Sequence, residues 1–66
     1  MRVNKNILVK EMARKCLSVN ELAELTGLGT TTIVKMKNGR GQPRTKTLGL
    51  IAKILDIDVE VLLLDD

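Results

Sequence analysis

The chain has no Phe, Tyr or Trp, no His, a single Cys and a single Pro. Each absence excludes something. Without aromatic rings there is no platform on which unpaired bases could stack, which argues against binders of single-stranded nucleic acid and of most RNA loops. With no His and only Cys16, no metal site of His and Cys can be assembled and no internal disulfide can close. Cys16 is expected to pack on a helix as a small apolar residue. The acids stand in no paired arrangement suited to acid–base work, so the sequence does not read as an enzyme, and nothing in it calls for a cofactor. No apolar run approaches the ~18 residues of a membrane span, and the opening "MRVNKNILVKE" lacks the apolar run of a signal peptide. The expectation is a soluble, cytoplasmic protein with no membrane partner.

A further absence is local. Between Glu24 and Asp56 there is no acidic residue, while Lys35, Lys37, Arg40, Arg44, Lys46 and Lys53 fall in that interval. After Lys53 the order reverses: Asp56, Asp58, Glu60, Asp65 and Asp66 follow with no base. The net charge is only +3. A basic middle and an acidic end can nevertheless give a small molecule two faces of opposite sign, of which the basic one is a candidate polyanion footprint. The plainer reading is an unevenly composed, solvated surface.

What is present reads as helix. With 66 residues there is room for one domain, 1–66, and 44% apolar against 29% charged residues is a globular balance. Residues about 4–16 carry Leu8, Met12 and Cys16 at helical spacing, with Asn4 or Asn6 as cap. "SVNE" at 18–21 is a capping box leading into Leu22 and Leu25, with Leu17 and Leu22 placed for a hydrophobic staple. Gly27 ends that second helix, because glycine tolerates the left-handed exit. "TTTIVKMK" at 30–37 begins with three β-branched threonines, which suits a strand. It alternates only in its second half, and no other segment reads clearly as strand, whereas Ile33 and Met36 keep a helical stripe. A third helix of about eight residues is therefore expected, capped by Gly29 or Thr30 and stopped at Asn38-Gly39. "GRGQPR" is a loop. Thr45 to Leu55 forms a fourth helix on Leu48, Ile51, Ala52 and Leu55, and Asp58 caps a short fifth with Val59, Leu62 and Leu63.

The second and third helices, parted by a tight glycine-bearing turn, have the layout of a helix-turn-helix over about residues 18–38. In that motif the second helix enters the DNA major groove, so its first residues should be small and polar. Threonine hydroxyls suit base edges, and threonine methyls suit the thymine methyl. The ordered pattern "LSVNELAELTGLGTTTIVKMKNG", followed by "GRGQPRTKTLGLIAKILDIDVEVLL", resembles the phage-repressor and Cro-like regulators, the XRE family. The likeness spans roughly residues 7–63 without insertion. It implies an all-α, five-helix, lambda-repressor-like fold and a sequence-specific regulator of transcription in bacteria or phage, which excludes or recruits polymerase. It further implies that Thr30, Thr31 and Lys35 face bases, and that Thr32, Asn38 and Arg40 meet the sugar-phosphate backbone. The chain departs from the pattern at Val19, where a phosphate-binding Gln is common, at Gly29 for Ser or Thr, and at Lys37 for Glu.

One such module binds weakly. Two copies on half-sites about 34–36 Å apart would hold an inverted repeat more tightly. "IDVEVLLLD" holds more apolar residues than one short helix can bury. Leu62 and Val59 are assigned to the core, leaving Ile57, Val61, Leu63 and Leu64 as candidates for a homodimer interface. The rival reading is a protein-interaction module, such as an antitoxin-like subunit with secondary DNA binding.

Overall fold

The computed structural model describes residues 2–63. Their elements are five helices: α1 (Lys5–Arg14), α2 (Val19–Thr26), α3 (Thr30–Lys37), α4 (Thr45–Leu55) and α5 (Val59–Leu62). The boundaries follow local chemistry. Asn4 caps α1, its side-chain oxygen accepting from the Asn6 and Ile7 amides. The Ser18–Glu21 box closes in both directions at α2, Ser18 Oγ accepting from Glu21 N and Glu21 Oε1 from Ser18 N. Asp58 occupies the N-cap of α5, although its side chain makes no capping bond.

The first helix is shorter than the apolar spacing suggested. It stops at Arg14, and Cys16 adopts a left-handed φ of 57° outside it. The chain then reverses through two bonds, Cys16 N to Ala13 O and Leu17 N to Met12 O, which together make a Schellman closure. Cys16 is therefore exposed, not part of a buried stripe. The reversal instead turns Leu17 back against the core. Asp56 repeats the device after α4, with φ 57° and Ile57 N bonded to Ala52 O. Left-handed backbone is costly for a residue with a Cβ, and at both sites it redirects the chain so that an apolar residue two or three positions past the helix packs inward.

The core is formed by Leu8 and Met12 of α1, Leu22 and Ala23 of α2, Ile33 and Met36 of α3, Leu48, Ile51, Ala52 and Leu55 of α4, and Leu62 of α5. These sit at the three- and four-residue spacings that put side chains on one helix face. Val3 joins them from before α1. Its backbone forms an antiparallel bridge with Leu63, and Asn4 N donates to Leu62 O at 2.8 Å, so the two ends of the described chain are fastened together. Arg14 adds a second tie, pairing with Glu11 and donating to the Leu55 carbonyl at the end of α4. Val59, assigned to the core, is 37% exposed on α5, whereas Ile57 and Leu63, assigned to an interface, pack partly against the core; Leu25 is 56% exposed on α2.

Candidate nucleic-acid interface

Residues Gly27, Leu28 and Gly29 connect α2 to α3. Gly27 has φ 76°, a conformation open to glycine at little cost, and its amide closes α2 onto Ala23 O. Thr26 fixes the turn from inside. It is buried, its hydroxyl donates to Leu22 O at 2.8 Å and accepts from Leu28 N at 3.3 Å. One side chain thus joins the last turn of α2 to the linker. Sequence reasoning passed over Thr26, because a Thr near a helix end can equally bond its own helix and point to solvent.

α3 has two sharply different sides. Ile33 and Met36 are buried. Thr30, Thr31, Val34 and Lys35 are exposed, and a helical projection at 100° per residue places Thr31, Val34 and Lys35 opposite the Ile33–Met36 side, with Thr30 at the flank beside Ile33. Thr31 and Lys35, one turn apart, lie one above the other. Thr32 is half-buried at the edge. The structure thus exposes the three residues expected to face bases, Thr31 and Lys35 on one outward face and Thr30 at its margin, and adds Val34 to them. Val34 falls off the Ile33–Met36 stripe by helical count and is 42% exposed.

The N-cap of α3 is Gly29, with no side-chain capping bond, and the first turn holds no acid. Its leading amides are left for an external acceptor, a geometry that suits phosphate. At the far end, Gly39 takes φ 73°, and Gly39 N and Arg40 N bond back to Met36 O and Lys35 O at 3.0 and 2.7 Å. This closure folds Arg40 against the helix. A cleft of about 200 Å³ results, lined by Thr32, Lys35, Met36, Arg40, Gly41, Gln42 and Pro43. Thr32, Lys35 and Arg40 therefore share one surface, while Asn38 is exposed one residue before the glycine. No acidic residue lines the cleft, and neither Lys35 nor Arg40 forms an ion pair among the described residues.

The charge separation seen along the chain is modified in space. Lys53 does not join the basic face. It lines a groove of about 460 Å³ with Asp56, Asp58, Ile57 and Val61, at the junction of α4 and α5. Of the candidates for a dimer contact, Val61 is half-exposed on this groove, Ile57 and Leu63 are partly covered by the core, and Leu64 lies outside the described residues. Val19, the departure at the head of α2, is half-buried against the core. An apolar residue there adds packing where a Gln would offer an amide. Among the described residues no cluster of His, Cys, Asp and Glu could hold a metal ion, and no helix is long and apolar enough to cross a membrane.

The sequence profile of the helix-turn-helix family matches residues 10–62, from within α1 to the end of α5. The chain is also similar to the "ImmF control region 10 kDa protein" of Bacillus phage phi105. The two are 38% identical over 56 residues, an alignment covering 83% of this chain and 62% of that protein. The chain thus spans about three fifths of the length of this curated relative. Five helices in this order, the glycine turn between α2 and α3, and a profile match running through both agree: the chain belongs to the helix-turn-helix (XRE) family.

Proposed function

We propose that residues 1–66 act as one DNA-binding module of a transcriptional regulator, acting as a repressor, with α3 laid in the major groove. The observation that carries this reading is the outward face of α3. Thr31, Val34 and Lys35 are exposed opposite the buried Ile33 and Met36, with Thr30 exposed at their flank; Arg40 lies beside Lys35 in a cleft that no acid lines, while Glu24 lines a separate cleft with Thr30. In this reading Thr30, Thr31 and Lys35 contact bases, the lysine reaching O6 and N7 of guanine. Thr32, Asn38 and Arg40 hold the backbone and set the register. The name of the phage relative, a control-region protein, accords with a regulatory role.

The module works as a homodimer on an inverted repeat. Val59 and Val61 are exposed on α5, Val61 lining the α4–α5 groove, and two copies meeting over α5 would spare them from water. The acids around the groove keep that end off the DNA. The same exposed valines favour the second reading, an antitoxin-like subunit that docks a different protein.

Selection from a random duplex library at near-physiological salt tests the proposal. Enrichment of an inverted repeat with half-sites about one helical turn apart is the expected result. A folded protein that enriches nothing overturns sequence-specific recognition. Sedimentation at micromolar concentration separates the two readings of α5, a self-associating chain favouring the homodimer and a monomer that binds DNA weakly favouring the foreign partner.

A further inference from the structure

We infer that Lys5, at the first position of α1, is a DNA-backbone contact, extending the footprint from α3 onto a helix outside the helix-turn-helix. The inference rests on the DNA-binding reading. Its first support is a cleft of about 180 Å³ where the chain segment before and at the start of α1 meets the end of α3. Lys5, Asn6 and Asn38 contribute to its lining, together with the backbone of Gly39, and no acidic residue does. A Cβ placed on Gly39 would stand 3.3 Å from Lys5 Cδ, so the lysine stem lies across this glycine. Gly39 is itself flanked by Asn38 and Arg40, the two residues proposed to hold the backbone. Lys5 thus adjoins the proposed contact line from the other side.

The second support is electrostatic. The positive end of a helix macrodipole favours an acid in the first turn and disfavours a cation. α2 follows this rule with Glu21 and α5 with Glu60, while α3 and α4, like α1, have no acid in the first turn. α1 has no acid in its first turn and begins with Lys5, which forms no ion pair among the described residues. Asn4 already takes the Asn6 and Ile7 amides at this helix end, so a phosphate brought against the cleft would be met by the Lys5 ammonium itself. A strand of the duplex running past Asn38 and Arg40 has its next phosphate as the natural occupant.

The test compares the full chain with Lys5→Gln and Lys15→Gln on the enriched duplex and on random duplex of equal length, across a salt series. Lys15 serves as control because it is exposed at the far end of α1 and lines neither the Lys5 cleft nor the α4–α5 groove. For Lys5→Gln, the dependence of log K on log salt is expected to become shallower by about one per protomer, equally on both duplexes. Thermal stability should hold or rise, the reverse of what a structural role for Lys5 would give. An unchanged slope, or one altered no more than in Lys15→Gln, overturns the assignment while leaving duplex binding by the unsubstituted chain intact. A folded, unsubstituted chain that binds neither duplex removes the DNA reading and this assignment with it.

Discussion

α2 and α3 have the same length, eight residues each, and are built on opposite principles. α2 closes its own start locally. It opens with a reciprocal capping box, carries Glu21 where the macrodipole favours an acid, and buries Leu22, Ala23 and Thr26. α3 opens on an uncapped glycine followed by three β-branched threonines and no acid. Isolated, such a segment would scarcely hold helix. It is held by two buried side chains, Ile33 and Met36, and by the closure through Gly39 at its far end. The difference separates stability from the proposed recognition. One helix braces the turn and caps its own start, while the other leaves its start uncapped, small-sided and without an acid in its first turn, as the proposed groove-binding role requires.

The buried sides of the two helices should respond alike. Leu22→Ala and Ile33→Ala remove fully buried side chains, and each should cost about 2–5 kcal/mol by denaturant titration. In a chain of this size that is close to the whole stability. A loss under 1 kcal/mol in either would show that its helix does not depend on the core. The exposed sides should differ. Lys35→Ala is expected to leave the melting temperature nearly unchanged and to cost about 1–3 kcal/mol of binding at one base position, relaxing preference there. A selected site identical to that of the unsubstituted protein would refute the role of Lys35.

Smaller substitutions sharpen the contrast at the two N-termini. Ser18→Ala should lose about 1 kcal/mol of stability, with sequence preference and salt dependence unaltered. Gly29→Asp gives α3 the start that α2 has. Stability should rise by roughly 0.5 kcal/mol, while duplex affinity falls because a carboxylate now stands where phosphate is proposed to approach. Equal or tighter DNA binding by this variant would mean that the head of α3 does not face the backbone. The smallest effect is a pH dependence confined to α2. The Glu21 carboxyl is held below its ordinary value, first by the bond from the Ser18 backbone N–H and next by the Ser18 side chain. The folded state therefore binds the proton less readily than the unfolded chain. The contribution is complete above the ordinary glutamate value and is lost as pH falls through the depressed one. Glu21→Gln should flatten that part of the acid stability profile, and an identical profile would show that the box is open in solution.

The helices were legible in the sequence because their signals are short-ranged. A cap and its partner stand three residues apart, as in "SVNE", and an inward face repeats every three to four residues, as in Leu48, Ile51, Ala52 and Leu55. Such patterns located α2 to α5, and α1 to within two residues at its end. The proposed interface residues were legible for a different reason: the full ordered pattern, from "LSVNELA" to the Asn38-Gly39 stop, resembles a family whose geometry is shared.

Other features depended on what meets what in space. Leu25 and Val61 look as apolar as Leu22 or Ile33, and only the packing of neighbouring helices leaves them outside. Cys16 lies on the helical stripe by count, yet the chain leaves the helix before reaching it and turns Leu17 against the core. Val3 is buried by its pairing with Leu63, sixty positions away along the chain, a contact no local pattern announces. The same holds for Lys5 over Gly39 and for Lys53 among the acids of the α4–α5 groove. The sequence by itself determined where the backbone coils and which stripe of each helix is apolar, since both follow from hydrogen bonding and periodicity within a few residues. The tertiary structure alone decided which apolar residues remain outside, which charges become neighbours and how the two chain ends are joined, since burial and Coulomb interaction depend on distance in space and not on separation in sequence.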